Sequence, residues 1–285
     1  MTGSALKRKL WQPLAALLVI SAAIQPMARA ADSPVMAAPA PSYADLADLA
    51  DHAPLVVRAK VRKVAVVEPE RAPGLRPGWV RIYIEAKTEA VIGGTTPLGQ
   101  DLRYLVDVPL DSKGKVPKLK KKSVILFART VAGKPGELQL VAPDAQLVWD
   151  LPLEERVKAL LTELYAPGAP QRITGVRQAI HVPGNLAGEG ETQIFLTAAN
   201  DEPAAMTVRR SPGQAPVWGV SFSELVSGSG APDRDSLAWY RLACFLPPSL
   251  PAAANVSEAI DDRMAAAQDY AFAMGQLGPC PRTRK

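Results

Sequence analysis

A run of β-patterned segments between Leu55 and Asp150 constrains the fold of this chain more than any other feature. In its first segment, Leu55 to Val61, apolar residues occupy the odd positions and alternate with basic ones, which is the period of a half-buried strand. After Lys63 the apolar residues move to even positions, at Val64 and Val66. A strand whose buried face switches in this way needs a bulge or a sharp bend.

Further strands follow in the same stretch. The segment from Trp79 to Ile92 keeps one apolar face throughout, and shorter β-patterned segments follow up to Trp149. The nearly continuous apolar run Val124 to Phe127 predicts a central strand. A capping box at Ser42 predicts a short helix before the first strand. Residues 42–150 are therefore predicted to form a five-stranded, OB-like β-barrel domain.

The order of these segments resembles a known family of modules. A short helix, then Leu55-Val-Val-Arg-Ala-Lys-Val61 and later Ser123-Val-Ile-Leu-Phe127, is similar to the netrin/TIMP-like group of OB folds. The framework cysteines of that family are absent, and no cysteine stands at the predicted mature N-terminus, where such modules use one for protease inhibition. The resemblance therefore implies the layout of the barrel and no activity.

The first thirty residues have the composition of a secretory signal. A basic start at Lys7-Arg-Lys9 precedes an apolar run from Leu10 to Ile24, and Ala28-Arg-Ala30 matches a cleavage site. We predict a signal peptide over 1–30, cleavage after Ala30, and a periplasmic or secreted protein that does not span the membrane afterwards. An uncleaved N-terminal anchor is the alternative. Residues 31–41, rich in Pro and Ala, are predicted to be a flexible lead-in.

The second half of the chain mixes helical and strand patterns. Residues 151–170 are predicted to be a helix and a linker, and residues 171–285 a smaller domain. That domain is expected to contain an antiparallel meander, with strands at 192–199, 204–210 and 217–222, and two C-terminal helices over 237–246 and 256–277. The predicted fold class of the whole chain is α+β.

The last predicted helix carries an apolar seam. Its members alternate in spacings of four and three: Ile260, Met264, Ala267, Ala271 and Met274. Such a seam either covers the helix's own domain, the interpretation that we favour, or forms an interface with a partner. The sequence does not fix the oligomeric state.

Two cysteines, Cys244 and Cys280, are the only ones in the chain. Export to an oxidising compartment predicts a disulfide between them, and two free thiols are the alternative.

Charge is distributed unevenly along the chain. The chain has 33 Lys and Arg against 28 Asp and Glu, but four basic residues and no acids precede Ala31, so the mature chain would carry a net charge of +1. Residues 55–142 contain 17 basic and 8 acidic residues, whereas residues 151–285 contain 12 and 14. This asymmetry indicates an anionic partner for the first domain.

Two features of that domain are candidates for binding. The outward faces of its first two strands interleave basic and aromatic residues, as OB modules do where they stack ligand rings. This predicted ligand-binding face comprises Arg58, Lys60, Arg62, Trp79, Arg81, Tyr83 and Lys87. The alternative is that the second domain packs here and buries Trp79 and Tyr83. The other candidate is a run of lysines at positions 113, 115, 118, 120, 121 and 122, which is either a binding loop or a solvated, edge-protecting one.

Catalytic chemistry is poorly supported. The two histidines and two cysteines do not form a metal-binding set, and no glycine cluster continues into a phosphate loop. His52 lies at a predicted helix end, and His181 lacks the G-x-S-x-G motif of a serine hydrolase. We expect no catalytic residue, no metal and no cofactor, and a structural role for His181.

The sequence thus predicts an exported, non-catalytic binding protein. Its ligand is expected to be an anionic glycan, a lipid head group or an acidic protein, and nucleic acid is not expected. The alternatives are an envelope scaffold that binds other proteins and a hydrolase with a site near His181.

Overall fold

A computed structural model describes residues 40–223 and 230–284. The predicted signal peptide and all but the end of the lead-in lie outside the described residues. The described part is α+β, as predicted, with antiparallel strands in two sheets and a few helices. These residues belong to one compact unit.

The first sheet contains six strands in the order β3-β2-β1-β4-β5, and β6 also pairs with β4. The strands are β1 (Leu55–Val66), β2 (Trp79–Gly93), β3 (Asp101–Pro109), β4 (Ser123–Thr130), β5 (Leu138–Leu140) and β6 (Gln146–Val148). All the ladders are antiparallel, and β4 is central with five consecutive buried residues, as its apolar run predicts. The ladders do not close the sheet into a barrel, because β3 contacts the residue before β5 through an isolated parallel bridge, Arg103 to Glu137, rather than through a ladder.

The predicted bulge in β1 is confirmed. The register of β1 against β2 shifts between Val61 and Lys63, which leaves Arg62 as the extra residue. Before this point the odd positions face the core; after it, Val64 packs against the same core. Val66 is 57% exposed, so Val64 is the only even-numbered residue after the bulge in β1 that packs against this core.

The prediction that β2 keeps one apolar face is wrong. Two further shifts in register, opposite Val57 and Ala59, leave Ile92 and Glu89 of β2 unpaired. Ile82 and Ile84 therefore face the core inside the first sheet, whereas Ile92 packs against the core on the other side. The pairing with β1 produces this switch, and the alternation within β2 did not indicate it.

The second sheet confirms the predicted meander. Its strands are β7 (Ile173–Pro183), β8 (Gly190–Ala198), β9 (Ala204–Arg210) and β10 (Val217–Ser221), in the order β10-β9-β8-β7. Each strand pairs antiparallel with its neighbour in sequence.

Four α-helices complete the described fold: α1 (Tyr43–Ala50), α2 (Leu151–Leu164), α3 (Leu237–Ala243) and α4 (Ile260–Leu277). Short 3-10 helices occupy Pro69–Arg71 and Ala252–Ala254. The predicted capping box of α1 is present, since Ser42 accepts from the Asp45 amide and Asp45 accepts from the Ser42 amide. The Asp150 side chain caps α2 by accepting from the amide of Leu153.

Two hydrophobic cores organise these elements. One lies inside the first sheet, between β1, β2, β3 and β4. The larger one joins α1 and α2 to the outer side of β1 and β4, and continues through the second sheet to α3 and α4. The predicted connecting segment 151–170 thus contributes α2, with Val157 and Leu160 fully buried, to the core that links both halves of the chain.

Helix α4 packs on the second sheet with a different face from the predicted one. Its buried residues are Ala266, Asp269, Tyr270, Ala273 and Leu277. Ile260 and Met264 of the predicted seam are 74% and 51% exposed, so the favoured interpretation of that seam as the covered face is wrong. Asp269 and Tyr270 turn inward because each has buried polar partners, Thr192 and the Pro247 carbonyl.

Candidate functional site

The predicted ligand-binding face does not form one surface. Its seven residues lie on β1 and β2, but three shifts in register and the neighbouring elements give them different surroundings.

Arg58 is held by α2. It binds Glu154 at 2.6 Å and Glu89 at 3.5 Å, and its guanidinium lies 5.2 Å from the ring centre of Trp149. The Trp149 indole N–H also donates to Glu154 at 2.5 Å. Arg58 therefore joins the first sheet to α2.

The Glu154 carboxylate has a pKa lowered to about 2. The hydrogen bond from Lys158 is the largest cause, burial opposes it, and the bonds from Trp149 and Arg58 add to it. A lowered folded-state pKa contributes stability above the ordinary value of 4.5, and this stability is lost as the pH falls towards 2.

We predict that Glu154→Gln flattens the pH dependence of stability between about pH 4.5 and 2. At neutral pH the variant should lose free energy of unfolding on the order of 2 kcal/mol. The shift in pKa alone would give more, but solvent screens the charge of the exposed Lys158. Urea unfolding at a series of pH values measures it. Glu155→Gln, one residue along the same helix, is the control, and an equal loss in both variants would contradict the prediction.

Three more basic residues of the predicted face are opposite carboxylates. Arg81 makes a two-bond contact with Asp107 at 2.7 and 2.9 Å. Lys60 lies 3.9 Å from Glu89, and Lys87 lies 3.7 Å from Asp101. Asp107 and Asp101 lie on β3, directly across from Arg81 and Lys87 on β2. Only the register between β2 and β3 could have predicted these two ion pairs.

The two aromatic residues are half-buried. Arg76 stacks over the ring of Trp79 at 3.8 Å. Tyr83 lines a groove whose walls come from residues 65–143. The surroundings of Tyr83 thus belong to the first sheet and its loops, rather than to the second predicted domain.

Arg62 has different surroundings, next to the lysine run. We call Arg62, Lys118, Lys120, Lys121 and Lys122 the lysine patch; all five are exposed. Within the described chain none of the five has an ion-pair partner. The sequence placed Arg62 and the lysines in separate features, and the bulge in β1 brings them together.

The backbone of the lysine patch is fixed. The Lys121 amide donates to the Val61 carbonyl at 2.8 Å, and the Val61 amide donates to the Lys122 carbonyl at 2.9 Å. Leu119 anchors the loop in the inner core, and Lys121 adopts a left-handed φ of 69°. Four lysines are therefore presented on an ordered turn beside Arg62 of β1. Residues 112–136 contain eight basic residues and no acid, so no carboxylate of the loop offsets them.

A groove of about 940 Å³ is lined by residues from the end of β1, from β2 and β3, and from the segment 137–143. We call it the β3 groove: residues 65–71 form one wall and residues 137–143 form the other. Val66 and Leu105 lie exposed in it. Its charged residues are three arginines and three acids: Arg71, Arg81, Arg103, Glu68, Asp107 and Glu137. Alternation in the sequence did not indicate this groove, because segments far apart in sequence form it.

His181 belongs to a buried polar network. Its Nδ1 lies 2.8 Å from Thr192 Oγ1, which donates to Asp269 at 2.5 Å, and Arg210 binds the other oxygen of Asp269. The Ser257 hydroxyl accepts from the His181 amide at 3.0 Å. Both hydroxyls beside His181 are thus engaged in hydrogen bonds within the fold.

The predicted disulfide is present between Cys244 and Cys280. His52 lies at the end of α1 as predicted, with Nδ1 2.8 Å from the Asp48 carbonyl. Among residues 40–223 and 230–284, no group of three or more His, Cys, Asp and Glu side chains could hold a metal ion. No helix in that part of the chain has the length and apolar character needed to cross a membrane.

Comparison with known families finds no family model that matches this chain. Comparison with curated proteins finds no significant match either.

Proposed function

We propose that this is an exported, non-catalytic binding protein whose lysine patch holds an anionic ligand. The observation that carries the proposal is the contrast in charge pairing. Arg58, Lys60, Arg81 and Lys87 of the predicted face each lie opposite a carboxylate, whereas the lysine patch has no such partner among the described residues. Unpaired cations on an ordered turn attract phosphate, sulfate or carboxylate groups.

The layout of the first sheet supports an OB-like barrel for this role. β1 is long and bulged and pairs with both β2 and β4. The bridge between Arg103 and Glu137 and the bond from the Asp107 amide to the Pro143 carbonyl bring β5 towards β3. We propose that these contacts represent a partly open barrel of the OB type.

The site of action is proposed to be the periplasm or the extracellular space. The signal-like composition of residues 1–30 supports export. The disulfide is consistent with an oxidising compartment. In such a space the ligand of the lysine patch would be an acidic glycan or an anionic lipid head group.

We predict that Lys120→Glu with Lys122→Glu weakens binding to immobilised heparin by about tenfold or more, because exposed ionic contacts each contribute up to roughly 1 kcal/mol. Retention of the wild-type protein should fall steeply with salt, since the contacts are exposed. Elution from a heparin column in a salt gradient measures both effects.

The matched control is Lys63→Glu with Lys87→Glu, which changes the net charge equally at positions opposite Glu85 and Asp101. It should lose much less retention than the patch variant. Equal losses in the two variants, or no salt-dependent retention of the wild type, would contradict the proposal. Sedimentation with vesicles containing phosphatidylglycerol distinguishes a lipid ligand from a glycan.

A further inference from the structure

We propose that the β3 groove binds a planar aromatic anion, a ring system that carries a carboxylate, sulfonate or phosphate group. This surface is separate from the lysine patch, and the proposal does not depend on the function proposed above. Of the seven residues of the predicted ligand-binding face, only Arg81 and Tyr83 line the groove.

The floor of the groove is one cross-strand row on β1, β2 and β3. Ala65 pairs with Tyr83, and Tyr83 pairs with Leu105, so their side chains stand side by side on one face of the sheet. This face points away from the inner core, because Ile82 and Ile84, the neighbours of Tyr83 on β2, are buried in that core. Ala65 is exposed, Leu105 is 51% exposed and Tyr83 is half-buried. An apolar floor with a tyrosine ring at its centre is therefore open to solvent.

The groove is about as wide as it is long, and its volume of about 940 Å³ is common for ligand sites. On one side the Val67 amide donates to the Arg81 carbonyl at 2.9 Å. On the other side the Asp107 amide donates to the Pro143 carbonyl at 2.7 Å. Because Arg81 and Asp107 pair across β2 and β3, three strand spacings, roughly 14 Å, separate the two walls. Along β3 the floor extends about 13 Å, from Arg103 to Asp107, so a plate-shaped ring system fits the outline better than an extended chain.

The centre of the floor favours an aromatic body. A ring placed over Tyr83 can stack on it in an offset or edge-to-face geometry, while Ala65 and Leu105 offer apolar surface on either side. Val66, which is 57% exposed, adds an apolar contact at the wall. Covering these side chains removes apolar surface from water, which favours binding.

Two of the three acids that line the groove already have partners. Arg81 binds Asp107 through two nitrogens at 2.7 and 2.9 Å. Lys134 lies 3.4 Å from Glu137. These pairs neutralise each other, so the charge that a ligand meets comes from the remaining residues of the lining.

The remaining charges of the lining favour an anion. Within the described chain, Arg71 and Arg103 have no carboxylate within ion-pair distance, and Glu68 is the one acid of the lining that has no such partner. Arg103 precedes Leu105 by two positions on the same face of β3, about 7 Å along the strand. An acidic group attached to a ring over the floor therefore reaches the Arg103 guanidinium, where a charge-assisted hydrogen bond is strong.

The proposal is tested with the dye anilinonaphthalene sulfonate, whose fluorescence is titrated with the full mature chain. We expect saturable binding, and a loss of affinity of about tenfold or more in Arg71→Gln with Arg103→Gln, which removes the two free cations. Leu105→Glu should cause a similar loss, because it places an acid on the apolar floor. The matched control is Lys120→Gln with Lys122→Gln, which removes the same charge from the lysine patch and should bind the dye as the wild type does.

Competition with unlabelled compounds identifies the ligand class. Naphthoate should displace the dye, and naphthamide, which has the same rings without the charge, should be weaker by about tenfold. Decanoate, an anion with an alkyl chain, should be weaker than naphthoate. Circular dichroism shows whether each variant is folded; if Leu105→Glu is not, the arginine variant tests the site, since both of its side chains are exposed. Absence of saturable binding, an equal loss in the lysine variant, equal displacement by naphthamide, or stronger displacement by decanoate would overturn the proposal.

Discussion

Replacing Cys244 and Cys280 together by serine is expected to lower the free energy of unfolding by about 4 kcal/mol in the chain-entropy description. The bond closes a loop between residues 36 apart in sequence, and opening it restores conformational freedom to the unfolded chain. For a chain of this size the midpoint of thermal unfolding should fall by roughly 8–16 °C.

The disulfide also holds the C-terminal tail, residues 278–284, in place. Arg282 binds Asp48 at 2.6 Å, and the amide and hydroxyl of Thr283 donate to Asp45. Opening the bond therefore weakens the attachment of α1 as well, because the tail lies across that helix. Loss of the disulfide should expose α1 to proteolysis before the two sheets unfold.

Calorimetry with and without reductant checks this expectation. The wild-type protein in reductant should unfold at the midpoint of the double serine variant, and reductant should not change the midpoint of that variant. The same midpoint for wild type and variant under oxidising conditions would contradict a stabilising role of the bond.

Arg241→Met is expected to destabilise the fold by about 3–5 kcal/mol, because it leaves a buried carboxylate without its main partner. Two nitrogens of Arg241 bind the two oxygens of Asp51, and the Nε donates to the Pro170 carbonyl at 2.9 Å. The side chains of Arg241 and Asp51 are only 5% and 9% exposed. This pair joins α3 to the end of α1.

The effect of Arg241→Met should depend on pH. Burial raises the pKa of the Asp51 carboxyl, but the hydrogen bond and charge of Arg241, with the charge of Arg172, outweigh burial and hold the pKa below its ordinary value of 3.8. The stability that this pair contributes is therefore present above pH 3.8 and is lost as the pH falls further. The difference between wild type and variant should shrink in acid.

Arg172→Met is the matched control, since the Arg172 side chain is 39% exposed and lies 3.5 Å from the same carboxylate. It should cost at most about 1 kcal/mol. Urea unfolding at pH 7 and pH 3 measures both variants. Similar losses in the two, or a loss for Arg241→Met that does not diminish in acid, would show that the buried pair does not stabilise the fold in this way.

The lysine patch and the predicted face differ in whether their basic residues have ion-pair partners among the described residues. A basic residue in a strand reveals its own charge in the sequence, but its partner is set by the register of the next strand or by a distant helix. Arg58 shows this most clearly, because Glu154 lies 96 positions away along the chain. Binding studies should therefore begin with Lys120 and Lys122.

The sequence by itself determined the features that depend on neighbouring residues. The switch of apolar phase in β1 predicted its bulge, the capping box predicted the start of α1, and the composition of the second half predicted the meander. Two cysteines in a chain with a signal-like N-terminus were sufficient to predict the disulfide. Each of these follows from alternation, capping or compartment, which are local properties.

Only the tertiary structure decided which faces are covered and which charges are free. The phase of β2 changes because β1 imposes two shifts in register, and α4 turns Asp269 inward because Thr192 and Arg210 lie on the sheet beneath it. The β3 groove exists because the end of β1, β2, β3 and the segment 137–143 meet there. These features depend on contacts between residues far apart in sequence, whose register and packing the local pattern of the chain does not specify.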